Sequence, residues 1–199
     1  MRYTDFRKNF SIPLFTTQDI RLLAADITPS QLTLWQKQEY LTKIRGGVYV
    51  FNDAKINLTP EELSAVVVEP SYISLETALS HYNLIPEMVF ATTCITTKNT
   101  REHQTYLGRM SYSHIKQELF FGYIPVQGAI RSYNLAIPEK ALLDYFYLHP
   151  QYRDEADIEG LRIEKSLFTG LNRKLLYQYA KAFPPRVARL LAVMEGMHD

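Results

Sequence analysis

Residues 27 to 51, Ile27-Thr-Pro-Ser-Gln-Leu-Thr-Leu-Trp-Gln-Lys-Gln-Glu-Tyr-Leu-Thr-Lys-Ile-Arg-Gly-Gly-Val-Tyr-Val-Phe51, decide the reading of this chain. Thr28 followed three residues later by Gln31 is a capping pair, and Pro29 suits a first helical position because its missing N–H costs nothing there. A helix is therefore expected from about Pro29 to Gln38, with Leu32 and Trp35 inward and Ser30, Thr33, Leu34 and Lys37 outward. Residues Tyr40 to Ile44 alternate, Gly46-Gly47 offers a tight turn, and Val48 to Phe51 is β-branched and aromatic. A helix running at once into a small hairpin is the second half of a winged helix-turn-helix.

The first half lies just upstream. Phe15-Thr-Thr-Gln-Asp-Ile20 repeats the pattern of Ile27-Thr-Pro-Ser-Gln-Leu32, with Thr as cap, a side chain three residues on to answer it, and flanking apolar residues as a staple. One helix should start near Thr16 and another near Thr28, joined by a short link around Ala25-Asp26. A shorter helix over Thr4 to Phe10 precedes them, with Phe6 and Phe10 on one face and Pro13 beyond its end.

In that arrangement the outward residues of the second capped helix meet DNA. Ser30 and Thr33 suit bases or phosphates, Lys37 a phosphate, and Leu34 a thymine methyl. Gln31 has two uses, closing the capping box or pairing with adenine. Lys43 and Arg45 share a side of the first hairpin strand near its tip, where they suit the sugar-phosphate backbone. The bland alternative is an amphipathic core helix followed by a hairpin with a basic edge. Two capped helices together with a basic hairpin tip favour the DNA reading.

Charge and composition agree with it without requiring it. Residues 1 to 59 carry eight Lys/Arg against five Asp/Glu, whereas the remaining 140 carry fourteen against sixteen, so the mild positive excess sits in the first part. Cys94 is the single cysteine, which excludes an internal disulfide and a thiolate metal cluster. No stretch approaches the ~18 apolar residues of a membrane span, and Met1 to Lys8 lacks the apolar run of a signal peptide. A cytoplasmic protein without a membrane partner is expected.

Beyond a polar linker, Asn52 to Thr59, a helix over Pro60 to Val67 is expected, capped by Thr59 with Glu61 and Glu62 in its first turn. Ser74 is placed to cap another through about Tyr82, with Leu75, Ala78, Leu79 and Tyr82 inward. Met88 to Thr97, Tyr106 to Tyr112, Leu119 to Val126 and Ile130 to Leu135 read as four strands of a mainly antiparallel sheet, with Asn99 to His103 as a polar connector. Pro138 opens a further helix. The rest is helical to about residue 198, with inward stripes Leu175, Leu176, Tyr179, Phe183 and then Val187, Leu190, Leu191, Met194. The fold class is α+β, divided into a DNA-binding domain at 1 to 59 and a second domain at 60 to 199.

Two clusters raise the question of further function. Glu139, Lys140 and Asp144 offer acids and a lysine, as a nuclease would need. No acid stands on the preceding stretch Ile130 to Leu135, so Glu139 is read as a helix-dipole residue and Asp144 as a surface residue. Arg173, Lys174, Lys181, Arg186 and Arg189 form a basic run. They are read either as a second phosphate-contacting or partner-docking surface, or as a solvated face paired with the acidic residues between 153 and 164. Phosphate-binding glycine loops, nucleophile elbows and metal-spaced histidines are missing, so no catalytic residue, cofactor or metal is expected.

Several segments resemble one family. Phe15-Thr-x-x-Asp-Ile20 and Tyr40-Leu-x-x-Ile-Arg-x-Gly-Val-Tyr49 are similar to the N-terminal winged helix of AbiE-type (AbiEi) antitoxins. Tyr72 to Leu84 and Pro138-Glu-Lys-x-Leu-x-Asp144 resemble later segments of the same family. The chain departs from the pattern at Gln38-Glu39, where Lys-Gly is more usual. The resemblance implies the antitoxin of a bacterial type IV toxin–antitoxin system for phage defence by abortive infection. It implies autorepression by binding inverted repeats in the operon's own promoter. It further implies a C-terminal domain that neutralises a nucleotidyltransferase-like toxin, without requiring a stable complex. The rivals are a stand-alone winged-helix regulator with a ligand-sensing or dimerising second domain, and a DNA-acting enzyme such as a nuclease.

Overall fold

The computed structural model describes residues 1–23, 26–53, 58–86 and 89–198. The link at Ala25, the middle of the Asn52–Thr59 linker and the start of the Met88–Thr97 segment fall outside the described residues. The chain is α+β with two sheets.

The first part runs α1 (Tyr3–Arg7), β1 (Leu14–Thr16), α2 (Thr17–Leu22), α3 (Pro29–Lys37), β2 (Leu41–Arg45) and β3 (Val48–Phe51). Both expected capping boxes form. The Thr16 side chain accepts from the Asp19 amide while the Asp19 carboxylate accepts from the Thr16 amide, and Thr28 and Gln31 do the same for α3. Each such cap is worth about 1 kcal/mol. The strands form an antiparallel sheet in the order β1-β3-β2. β1 was not expected, because three residues are too few to show a period.

β3 is the central strand of that sheet and is buried on both faces. Tyr49 and Phe51 join Phe6, Phe15, Ile20, Leu32, Trp35 and Leu41 in one apolar cluster. Val48 and Val50, with Leu14, point the other way, into the main core. The alternation along four residues therefore joins two hydrophobic cores across one sheet. Phe51 is the centre of the smaller cluster, with ring centroids at 4.8 Å from Phe15 and 5.4 Å from Phe10, and with the Arg7 guanidinium 4.5 Å from its own.

The second part begins with α4 (Pro60–Val67), capped by Thr59 and Glu62, then β4 (Ser71–Ile73) and α5 (Leu75–His81). Next come β5 (Ala91–Thr96), β6 (Arg101–Thr105), β7 (Gly108–His114), a 3-10 turn at Gln117–Leu119, β8 (Tyr123–Val126) and β9 (Tyr133–Ala136). The chain closes with α6 (Pro138–Leu148), α7 (Glu155–Glu159), α8 (Lys165–Thr169), α9 (Arg173–Ala180) and α10 (Pro185–His198).

The sheet differs from the expected four antiparallel strands. It has six, in the order β6-β7-β5-β4-β9-β8, and is mixed: β5 pairs with β7, and β4 with β9, in parallel. β6 takes in much of the segment read as a polar connector. Its residues Arg-Glu-His-Gln-Thr lie on the sheet's edge, so polar side chains cover both faces and no apolar period remains to be read. β4 belongs to the sheet through long-range partners, Cys94 and Leu135 beside Ile73, which local pattern cannot reveal. The second helical stripe packs as expected, with Val187, Leu190, Leu191 and Met194 buried. Of the first, Leu176 and Phe183 are buried and Tyr179 packs at the core's margin, while Leu175 is only partly buried and Ala180 takes an inward place instead.

Candidate nucleic-acid interface

α3 is divided cleanly. Leu32 and Trp35 are buried, while Ser30, Thr33, Leu34 and Lys37 are exposed at helical spacing along the opposite side. Leu34 is half exposed, at 50%, although apolar. The Thr33 hydroxyl donates to the Pro29 carbonyl at 3.0 Å, which spends its proton within the helix and leaves the oxygen able to act only as an acceptor. Tyr3 supports this helix from behind, stacking on Tyr40 at 4.4 Å and meeting Trp35 edge-on at 5.6 Å.

Gln31 takes the first of its two uses. Its Oε1 accepts from the Thr28 amide at 2.9 Å, and its Nε2 donates to the Met1 carbonyl at 3.2 Å. Both ends of the carboxamide are occupied within the protein, so the paired hydrogen bonds to adenine are not open to it in this conformation.

The hairpin tip departs from simple alternation. The β2–β3 register shifts between Lys43, opposite Tyr49, and Arg45, opposite Val48. That bulge inserts Ile44 and turns Arg45 away from the side of Lys43. Lys43 stays exposed. Arg45 instead reaches the second part of the chain, where its Nη1 donates to the Val67 carbonyl and lies 3.3 Å from His103 Nε2. A guanidinium only donates, so that ring nitrogen is the acceptor. Burial, then Arg45 and Arg101, hold the His103 imidazole below its usual pKa, which keeps the ring neutral and accepting. The expected pairing of Lys43 and Arg45 on one side is therefore corrected. Of the two hairpin glycines, Gly47 alone takes a positive φ, +83°, and a Cβ there would sit 2.8 Å from Thr17 Oγ1. The Glu39 backbone is also left-handed, φ 59°, at the position where the resembled family more usually has glycine.

The C-terminal basic run divides. Arg173, Lys174 and Lys181 line a shallow groove on α9 with Tyr177 and Gln178, and Arg189 is exposed on α10. Arg173 lies 3.8 Å from Glu195 of α10, whereas Asp154 and Asp157 accept from the backbone amides of Asp157 and Arg153. Arg186 does not share that surface. Its guanidinium donates to the carbonyls of Phe146 at 2.6 Å, Tyr147 at 3.2 Å and Tyr152 at 3.3 Å, and so closes the C-terminal end of α6.

Asp144 is not a surface residue. Asp144 and Lys140 are both wholly buried and form an ion pair one helical turn apart. The Asp144 Oδ2 accepts from Tyr72 Oη at 3.0 Å and Ser74 Oγ at 2.9 Å, while Lys140 Nζ donates to Tyr72 Oη at 2.8 Å. The rings of Tyr72, Phe121 and Phe183 stand around that ammonium, each centroid 5.2 Å away. Burial pushes the Asp144 carboxyl up and the Lys140 ammonium down, and each is opposed by the other's charge. Ser74, expected to cap α5, turns its hydroxyl to this pair instead, and the backbone enters α5 through a left-handed Leu75, φ 56°. In this conformation neither group reaches solvent or a substrate.

Glu139 accepts from the Asn172 amide at 2.8 Å, tying α6 to the start of α9. Glu62 does more than close its capping box. Its second oxygen accepts from the amides of Ile130, at 2.6 Å, and Arg131, at 3.0 Å. Burial raises this carboxyl, but the backbone hydrogen bonds outweigh it and hold the group below the usual range.

Burial pushes the Cys94 thiol up to about 12, so no thiolate nucleophile forms there at neutral pH. Among the described residues no group of three His, Cys, Asp or Glu could hold a metal ion, and no helix is long and apolar enough to cross a membrane. No family model matches the chain, and no curated protein matches it.

Proposed function

We propose that residues 1 to 53 act as a winged helix-turn-helix that binds double-stranded DNA, with α3 in the major groove. The observation that carries this is the α3 stripe of Ser30, Thr33, Leu34 and Lys37, which is exposed while the opposite side of the helix is locked into an aromatic cluster. Thr33 and Ser30 face base edges, Leu34 meets a thymine methyl, and Lys37 and Lys43 meet phosphates. Gln31 acts as a cap, and Arg45 holds the wing to the second part of the chain.

The resemblance to AbiE-type antitoxins extends this reading. The protein represses its own operon through inverted repeats and neutralises a nucleotidyltransferase-like toxin through residues 60 to 199. Binding of the full chain to its upstream promoter DNA, followed by fluorescence anisotropy, tests the first element. Lys43→Ala should weaken binding to every duplex, and Thr33→Ala should change the order of preference among duplexes. Unchanged affinity and unchanged preference would refute the DNA-binding reading. Growth of cells expressing the neighbouring toxin tests the second element, and failure of the full chain to restore growth would refute it.

One observation favours a second reading, a ligand-sensing regulator. A cavity of about 460 Å³ opens on the six-stranded sheet, with Thr77, Ser80, His81, Arg109 and Tyr133 among its lining. A polar metabolite that shifts promoter affinity, in a genome with no adjacent toxin gene, would select this reading.

A further inference from the structure

A second basic cluster sits where the hairpin tip meets the six-stranded sheet. A cleft of about 260 Å³ is lined by Arg45 and Gly46 from the hairpin, and by Val68, Glu69, Lys98 and Arg101 from the second part of the chain. Three cations and one carboxylate share it, and no carboxylate lies within ion-pair distance of Arg45, Lys98 or Arg101 among the described residues. Two positive charges are therefore left uncompensated in one concave place.

The cleft is built on fixed supports. Arg45 is held by the Val67 carbonyl and the His103 ring. The β5–β6 connection that carries Lys98 is pinned at both ends. Thr96 Oγ1 donates to the Pro70 carbonyl at 2.7 Å and accepts from the Lys98 amide at 3.2 Å. Thr100 Oγ1 accepts from the His114 amide at 3.0 Å, and His114 Nδ1 meets the Lys98 carbonyl at 3.2 Å. Arg101 Nε donates to the Asn99 carbonyl at 3.1 Å, which leaves the far end of its guanidinium for another acceptor.

We propose that this cleft is a phosphate-binding subsite for the DNA backbone, so that Lys98 and Arg101 of the second part of the chain contact the same duplex as α3 and the wing. The inference rests on the DNA-binding reading above. The ligand is a phosphodiester because forked guanidinium donors and an ammonium match phosphate oxygens. The duplex is its source because the cleft begins at Gly46, on the same hairpin as the exposed Lys43.

The test measures binding of the full chain to mixed-sequence duplex DNA over a range of salt concentrations. Lys98→Ala/Arg101→Ala should lower affinity about tenfold at physiological salt, equally for every duplex, and reduce the slope of log affinity against log salt by about one to two. An unchanged melting temperature shows that this double variant is folded. The charge-matched control is Lys174→Ala/Lys181→Ala on α9. An equal loss in the control would show a general charge effect and overturn the assignment. No binding by the unaltered protein would refute the DNA reading and the cleft together. If the unaltered protein binds and the Lys37→Ala variant is weakened while Lys98→Ala/Arg101→Ala is not, the cleft assignment alone fails. Titration with inorganic phosphate separates the sources. A phosphate-induced shift of the His103 ring resonances that the double variant abolishes, with duplex affinity unchanged, would assign the cleft to free phosphate and overturn its role on DNA.

Discussion

Among the described residues, removing one member of the Lys140–Asp144 pair should be the most damaging polar substitution. Both side chains have no exposure, and the pair shares hydrogen bonds with Tyr72 and Ser74. In Lys140→Met the apolar side chain fits among the rings of Tyr72, Phe121 and Phe183, but Asp144 keeps a buried charge with two neutral donors. In Asp144→Asn the ammonium loses its counter-charge inside the same ring of aromatics. Breaking one side of a buried pair costs about 3–5 kcal/mol. For a chain of this size each kcal/mol moves the melting temperature by about 2–4 °C, so each single variant should melt about 6–20 °C lower. The double variant leaves no formal charge at this site and should recover about 2 kcal/mol or more of the summed loss, because the second substitution relieves what the first created. Urea unfolding of all four proteins, with equal slopes, measures the coupling. Single losses below about 1 kcal/mol, or strict additivity, would show that solvent reaches the pair and would refute this account.

Further outcomes concern three other sites. Glu62→Gln should cost about 1–3 kcal/mol by leaving the partly buried backbone N–H groups of residues 59, 130 and 131 poorly matched. Because the folded Glu62 carboxyl lies below 4.5, its contribution is present above pH 4.5 and lost as pH falls through the folded value, so the acid limb of a stability–pH curve should flatten in the variant. Glu39→Gly should raise stability by about 0.5–1 kcal/mol, since φ 59° suits glycine better than glutamate, and a melting temperature no higher than before would contradict that. The folded His103 pKa is also depressed, so its contribution is present above pH 6.5 and fades as pH falls through the lower folded value. His103→Gln should remove that part of the pH dependence, read as melting temperature against pH.

The parts of this fold that could be read in advance are those with local causes. Thr16 and Asp19, Thr28 and Gln31, and Thr59 and Glu62 are each three residues apart, and each cap closes within one turn. The exposed side of α3 followed from the same arithmetic of helical spacing. What escaped has distant causes. Glu62 also binds amides 68 and 69 residues away, and nothing near it in the chain announces that. Asp144 looked like surface because a lone acid on a helix usually is, and its cover comes from Tyr72 and Ser74 of another element. Their i, i+4 spacing was the available sign that Lys140 and Asp144 are partners. Arg45 was misplaced by a single inserted residue, which no pattern of alternation foresees.

The two-sided burial of β3 bears on how this protein can be taken apart. A fragment cut before residue 54 would keep its aromatic cluster but lay bare Leu14, Val48 and Val50, which the rest of the chain now covers. Such a fragment should self-associate through that strip or need detergent to stay dispersed. Grafting α3 and its hairpin onto another carrier therefore requires a carrier that brings its own apolar lid. Experiments that assign roles within this chain are better done by side-chain replacement in the intact protein than by dissection.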